Sequence, residues 1–264
     1  MKALSRFAVF LSLCSPLAAE VSVKVAGLKI IGKEYQEEGA EKTLRAFNWT
    51  AGSEFALLLQ SDGKAIVGFD DDESKITLFS DDKGTDFLKA KSKFSRKPYS
   101  FGMIEKSESG KAMMTDLKSP GIPATGAMAI NIEGDLKVSV ASKSKLVKSE
   151  KVPLKKDAKI VVGEHTVEIQ KFGKPSWGDE KLEISFKAAV DFRQFKRVVF
   201  YDGEGKEIEA KPGMWSSTGM FGKTTFRASY KLKEKTEDLI MGFEVWTDLE
   251  EITVPLKLKV GVGL

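Results

Sequence analysis

The sequence is poor in the residues from which most catalytic and metal sites are built. Its 264 residues include one cysteine, Cys14, and one histidine, His165. That excludes a tetrahedral zinc site, which needs three or four such ligands from one chain. It also removes the usual nucleophile–base pairs unless His165 is the base. His165 stands in Gly163-Glu164-His165-Thr166-Val167, which reads as a hairpin entry carrying an exposed histidine, and no Gly-x-Ser-x-Gly elbow surrounds any serine. Without an internal disulfide the fold must rest on its hydrophobic core, for which 42% apolar residues suffice. No apolar run approaches the roughly 20 residues that span a bilayer. An excess of one charge is also missing, since 42 Lys and Arg face 38 Asp and Glu. Nucleic acid is therefore not an expected partner. Together these lacks point to a protein that is not an enzyme and carries no cofactor.

What is present begins with a leader. Met1, Lys2 and Arg6 form a short positive region, residues 7–13 are apolar, and Ser15, Pro16, Ala18 and Ala19 follow. This is the layout of a secretory signal peptide over residues 1–19, cut after Ala19. Cleavage would remove Lys2, Arg6 and Cys14, taking the formal net charge from +4 to +2. The expected location is the periplasm, or the outside or cell surface, of a bacterium, with no transmembrane segment in the mature chain.

From Glu20 onward the recurring signal is alternation of apolar and polar residues over five to eight positions, with turn formers between, which is the period of half-buried strands. Val21, Val23 and Val25 alternate with Ser22 and Lys24. Further strands are expected at 55–60, 65–69, 75–79, 127–132, 136–140, 159–162, 166–170, 182–186, 197–201, 225–232, 240–246 and 252–260. Residues 34–45 hold the one plausible helical turn, weakened by Gly39, and read as a short helix or a loop. The fold class is all-β, with antiparallel sandwiches.

The halves align with each other. Residues 75–84 match 196–205, each a strand ending in an aromatic residue followed by an acidic, glycine-containing turn: Phe79 with Asp81-Asp82-Lys83-Gly84, and Phe200-Tyr201 with Asp202-Gly203-Glu204-Gly205. Val152-Pro153-Leu154 likewise matches Val254-Pro255-Leu256. The first copy is longer, which suggests an inserted loop near residues 107–126. The expected division is a first sandwich over 20–152 and a second over 153–264. This repeat, with its strand ending in Phe79 and its Asp81-Asp82-Lys83-Gly84 turn, resembles exported bacterial proteins built of tandem immunoglobulin-like sandwiches. The resemblance covers the mature chain and implies a role among pili, adhesion or envelope assemblies. It carries over no functional residue.

Three places could carry a site. Residues 214–222 put Met214, Trp215, Met220 and Phe221 in a glycine- and serine-rich loop, with Trp215 and Phe221 offered to a protein partner or, alternatively, to a glycan as a stacking surface. The segment Pro120-Gly121-Ile122-Pro123-Ala124, within the presumed insertion, suits a protein contact, with Pro120, Ile122 and Pro123 as its bearing residues. Asp81, Asp82 and Asp86 are the candidates for a cation, calcium by their oxygen chemistry, although solvated turns are the plainer reading. Trp177 and Trp246 read as core. The expected function is non-catalytic contact with a protein partner or a second copy, in an adhesion or pilus-associated assembly.

Overall fold

The computed structural model describes residues 21–39, 41–91, 97–220 and 222–262. The proposed leader, residues 1–19, and the candidate Phe221 lie outside the described residues. The chain is all-β, and its helical structure among those residues is limited to single 3-10 turns at Ala46–Asn48, Phe87–Lys89 and Phe192–Gln194. No described helix is long and apolar enough to cross a membrane.

In chain order the strands are β1 (Val21–Ile31), β2 (Tyr35–Gln36), β3 (Thr43–Leu44), β4 (Gly52–Ser61), β5 (Ala65–Asp81), β6 (Ser100–Lys106), β7 (Ala112–Ser119), β8 (Ala129–Ala141), β9 (Ser144–Lys148) and β10 (Val152–Pro153). They continue as β11 (Lys159–Val162), β12 (His165–Gly173), β13 (Leu182–Ala188), β14 (Arg197–Tyr201), β15 (Glu207–Ile208), β16 (Ala210–Met220), β17 (Lys223–Leu232), β18 (Asp238–Trp246) and β19 (Glu250–Gly261). All the pairings among the described residues are antiparallel; along each strand alternate side chains face inward, and two buried clusters result.

The first cluster lies between the sheet β1-β4-β7-β6 and the sheet β19-β8-β5. Phe55, Leu57 and Leu59 of β4 and Met113 and Leu117 of β7 meet Phe79, Ile130, Ile132, Leu136 and Val138 from the other side. The second lies between β11-β12-β13-β17-β16 and a sheet in which β18 pairs with β14 on one side and with β9 and β10 on the other. Its centre holds Ile184, Phe186, Phe200, Leu239, Met241 and Phe243, with the Phe186 and Phe200 rings stacked 5.7 Å apart.

Several expectations change. The division at 152/153 does not coincide with the two cores. β9 and β10 join the second, while β19 returns to the first, where Val254 and Leu256 are buried. The alternation of β19 shows that one face is buried, but it carries no information about which strand lies beside it. Residues 107–126 are not an inserted loop, because they contain β7, whose Met113, Thr115 and Leu117 point into the sandwich. Among the described residues of 34–45 there is no helix: β2 and β3 pair, with Gly39 at φ 78° between them. The acidic run 70–73 lies inside β5 as a bulge. There Asp70 Oδ1 accepts from the N–H of Asp72 (3.0 Å) and Glu73 (2.9 Å), and Ser74 Oγ accepts from Lys137 N–H at 2.9 Å.

Candidate functional site

The acidic turn after β5 is built for structure. Asp81 is 3% exposed. Its Oδ1 accepts from the N–H of Lys83 (3.0 Å) and Thr85 (2.8 Å), and its Oδ2 from Ala124 N–H at 2.7 Å. Burial works to raise the Asp81 pKa, but these N–H donors outweigh it and hold the carboxyl below its ordinary value. Asp82 takes Met128 N–H on both oxygens, at 3.0 and 3.2 Å. Asp86 caps the 3-10 turn through Leu88 N–H at 2.9 Å and pairs with Lys89 at 3.2 Å. The three carboxylates are thus committed to separate partners, and among the described residues no three metal-ligating side chains gather at one point.

The bond from Ala124 N–H to Asp81, with others, ties down the segment that holds Pro120, Ile122 and Pro123. Ser53 Oγ donates to Gly121 O at 2.8 Å, Gly121 N–H donates to Ser119 Oγ at 3.0 Å, and a Cβ on Gly121 would sit 2.6 Å from the Phe87 ring. Pro120, Ile122 and Pro123 are half-buried. This is a packed crossover between β7 and β8.

Trp215 does not lie in a loop. It belongs to β16, which runs antiparallel to β17 with Trp215 opposite Ala228. The indole N–H donates to Asp191 Oδ1 at 3.1 Å, and the Arg193 guanidinium lies 3.4 Å from the ring centroid, itself paired with Asp191 at 2.7 Å. One face of the ring is therefore covered by a cation, and the N–H is already used, which takes away the open platform that sugar stacking needs. Burial alone would raise the Asp191 pKa, but Arg193 and Trp215 hold it below the ordinary carboxylate value. Burial and the Asp191 charge push the nearby Tyr230 hydroxyl well above its own ordinary pKa. Trp177 is 76% exposed, with Lys231 Nζ 3.0 Å from its ring centroid, so it is not core.

Four exposed apolar side chains lie where the sequence offered no motif. The connection from β1 to β4 carries Tyr35, Leu44, Phe47 and Trp49, all exposed, with Phe47 at 82%. Phe47 adopts φ 55°, ψ 18°, the left-handed region that a bulky side chain occupies at a cost. Trp49 lines a cleft of about 250 Å³ with Lys29, Glu54, Tyr99, Lys118 and Pro120. Lys29 Nζ sits 3.7 Å over the Trp49 ring and also pairs with Glu54, which Lys118 meets at 2.7 Å. Partial burial of Glu54 opposes its charge, but Lys118 and Lys29 keep its pKa below the ordinary value. The sequence reads this stretch only as a short helix or a loop over residues 34–45, and nothing in that reading marks the four side chains as exposed.

A second recess, of about 720 Å³, lies between the two cores. Val67, Gly68 and Ser139 form one wall, and His165, Phe195, Phe243 and Trp246 are on the other. His165 follows the turn at Gly163, as the hairpin reading has it. Its ring is not an exposed turn group, since it packs edge-on to Phe195 at 5.3 Å and near Phe243 at 6.0 Å. Lys106 spans the same junction, donating to Val67 O at 2.8 Å and to Arg193 O at 3.1 Å. Burial, then the Arg193 charge, lowers its pKa.

In comparisons with known proteins, no protein-family profile, no curated protein and no solved structure matches the chain.

Proposed function

We propose that the chain is an exported bacterial protein of two immunoglobulin-like sandwiches, acting without catalysis through protein contacts in an adhesion or pilus-associated assembly. Its contact element is the connection of residues 32–51. The immunoglobulin-like part of the reading is supported by the strand orders. Four strands in the order β1-β4-β7-β6 face β19-β8-β5, and β12-β13-β17-β16, with β11 added outside β12, face β14-β18 with β9 and β10 on the far side of β18; apart from the added edge strands this is the order of seven-strand sandwiches of constant type.

The observation that carries the contact reading is the joint exposure of Tyr35, Leu44, Phe47 and Trp49 in one connection, on a backbone strained at Phe47. Large aromatic side chains held outward by a costly backbone serve best as anchors that a protein partner buries. The chain carrying Phe47→Gly and Trp49→Ser tests this. Its melting temperature is expected to match the wild type within a degree or two. Its saturable binding to an envelope preparation of the exporting organism is expected to fall about thirtyfold or more, the scale of about 2 kcal/mol for a buried aromatic anchor. Undiminished binding, or collapse of the fold, would overturn the contact element. Glycan binding that Trp215→Ala abolishes and the double variant leaves intact would instead move the function to the Trp215 surface.

A further inference from the structure

We propose that the two cores are copies of one seven-strand unit that have exchanged their last strands within a single chain. The inference rests on the sandwich reading above and adds how the two units are joined.

Equivalence comes first. Strand for strand, β1, β4, β5, β6, β7 and β8 occupy the places of β12, β13, β14, β16, β17 and β18 in their sheets. The turns after β5 and β14 share one hydrogen-bond pattern. Asp81 Oδ1 takes Lys83 and Thr85 N–H, and Asp202 Oδ1 takes Glu204 and Lys206 N–H at 3.0 and 2.9 Å. Asp81 and Asp202 donate their own N–H to Thr85 O and Lys206 O, and the turn glycines Gly84 and Gly205 have φ of 90° and 86°. A turn repeated at this level of detail on an equivalent strand is the mark of a duplicated unit.

The exchange follows from the one strand that does not stay with its own unit. In sequence β9 and β10 follow β8, yet they pair with β18; β19 follows β18, yet it pairs with β8. The registers agree. Val254 and Pro255 stand opposite Leu136 and Asp135, while Val152 and Pro153 stand opposite Leu239 and Asp238. The same Val-Pro pair thus meets the same Leu and Asp in both units, each time from the other unit's sequence.

The two connections that carry the strands across run side by side and are latched. Asp248 accepts from Ser142 N–H (3.0 Å), Ser142 Oγ–H (2.6 Å) and Lys143 N–H (2.8 Å), and Thr247 N–H donates to Lys143 O at 3.0 Å. Residues 142–143 are of a length that commonly closes a hairpin, yet here they hand the strand to the neighbouring unit. Each core then lacks an edge strand unless the other supplies it. The recess holding His165 and Trp246 therefore lies at a junction that cannot hinge on a simple linker.

Cysteine pairs in the full chain carrying Cys14→Ser read the strand order directly. Lys137 and Thr253 are opposite each other on β8 and β19, joined by a 2.8 Å hydrogen bond from Lys137 Nζ to Thr253 Oγ1. Facing strand positions are within disulfide reach. Lys137→Cys with Thr253→Cys is expected to oxidise to a disulfide within one chain, seen at monomer mass on a non-reducing gel. If each unit kept its own last strand in the same register, Lys137 would face Lys151 instead, so Lys137→Cys with Lys151→Cys is expected to stay reduced. A disulfide in the second pair, none in the first, or a first-pair disulfide that only links two chains would overturn the exchange. The cross-link reports strand order whatever the chain binds, so it can fail while the contact element holds, and the reverse.

Discussion

Asp81 shows how much a single carboxylate can hold. Three backbone N–H groups from two segments end on it, one of them 43 residues away in sequence. Asp81→Ala leaves these donors without their acceptor and is expected to cost about 1–3 kcal/mol in urea unfolding. The effect has a direction in pH. The folded pKa lies below its ordinary value of 3.8, so the contribution is complete above that value and is lost as pH falls through the folded pKa. The gap between wild type and variant should therefore narrow as pH is taken from about 5 toward 2. Calcium is expected to leave the wild-type melting temperature unchanged, since the turn's carboxylates already have partners. At Phe47 the sign of the stability change reverses. Phe47→Gly relieves a left-handed φ that costs about 1–2 kcal/mol, set against the freedom glycine adds to the unfolded chain, so stability should be unchanged or slightly higher. A clear loss in thermal unfolding would mean that the ring packs against the protein. The turn at Asp81-Asp82-Lys83-Gly84 was legible in the sequence, but the reach of Asp81 to Ala124 was not, because local spacing says nothing about distant N–H groups.

At the scale of elements, the backbones of β5 and β8 approach closely at Gly134, where a Cβ would lie 2.2 Å from Lys75 O, just beyond the acidic bulge. Gly134→Ala is expected to destabilise the chain by about 1–3 kcal/mol, the usual range for forcing extra volume into a packed site. An unchanged denaturation midpoint would show that the bulge can shift to make room. Strands whose alternation is clean were readable. Arg197–Tyr201 lies where the sequence placed it, and Phe55, Leu57 and Leu59 mark the buried face of β4. The bulge hid the continuity of β5, because four acidic residues inside a strand read as a turn. β7 is hidden because the length difference between the two copies reads as an insertion there, and because Asp116 and Lys118 outside and Thr115 inside leave its alternation weakly apolar. Trp215 reads as a loop residue from sequence because β16 is an edge strand rich in glycine and serine. Trp215→Ala should cost roughly 1 kcal/mol through lost contact with Arg193.

For the whole molecule the sequence gives the fold class and hides the connectivity. Val254 and Leu256 announce a buried face in any sheet, and their partners in β8 lie more than a hundred residues earlier. No periodicity distinguishes β8 from β18 as the neighbour. The most direct measurement is amide hydrogen exchange on full-length Leu256→Asp. If β19 completes the first core, protection should fall first in β4, β7 and β8, with β13, β17 and β18 affected less. Protection lost first from β13, β17 and β18, with β4 and β8 intact, would contradict the exchange and return β19 to the second core.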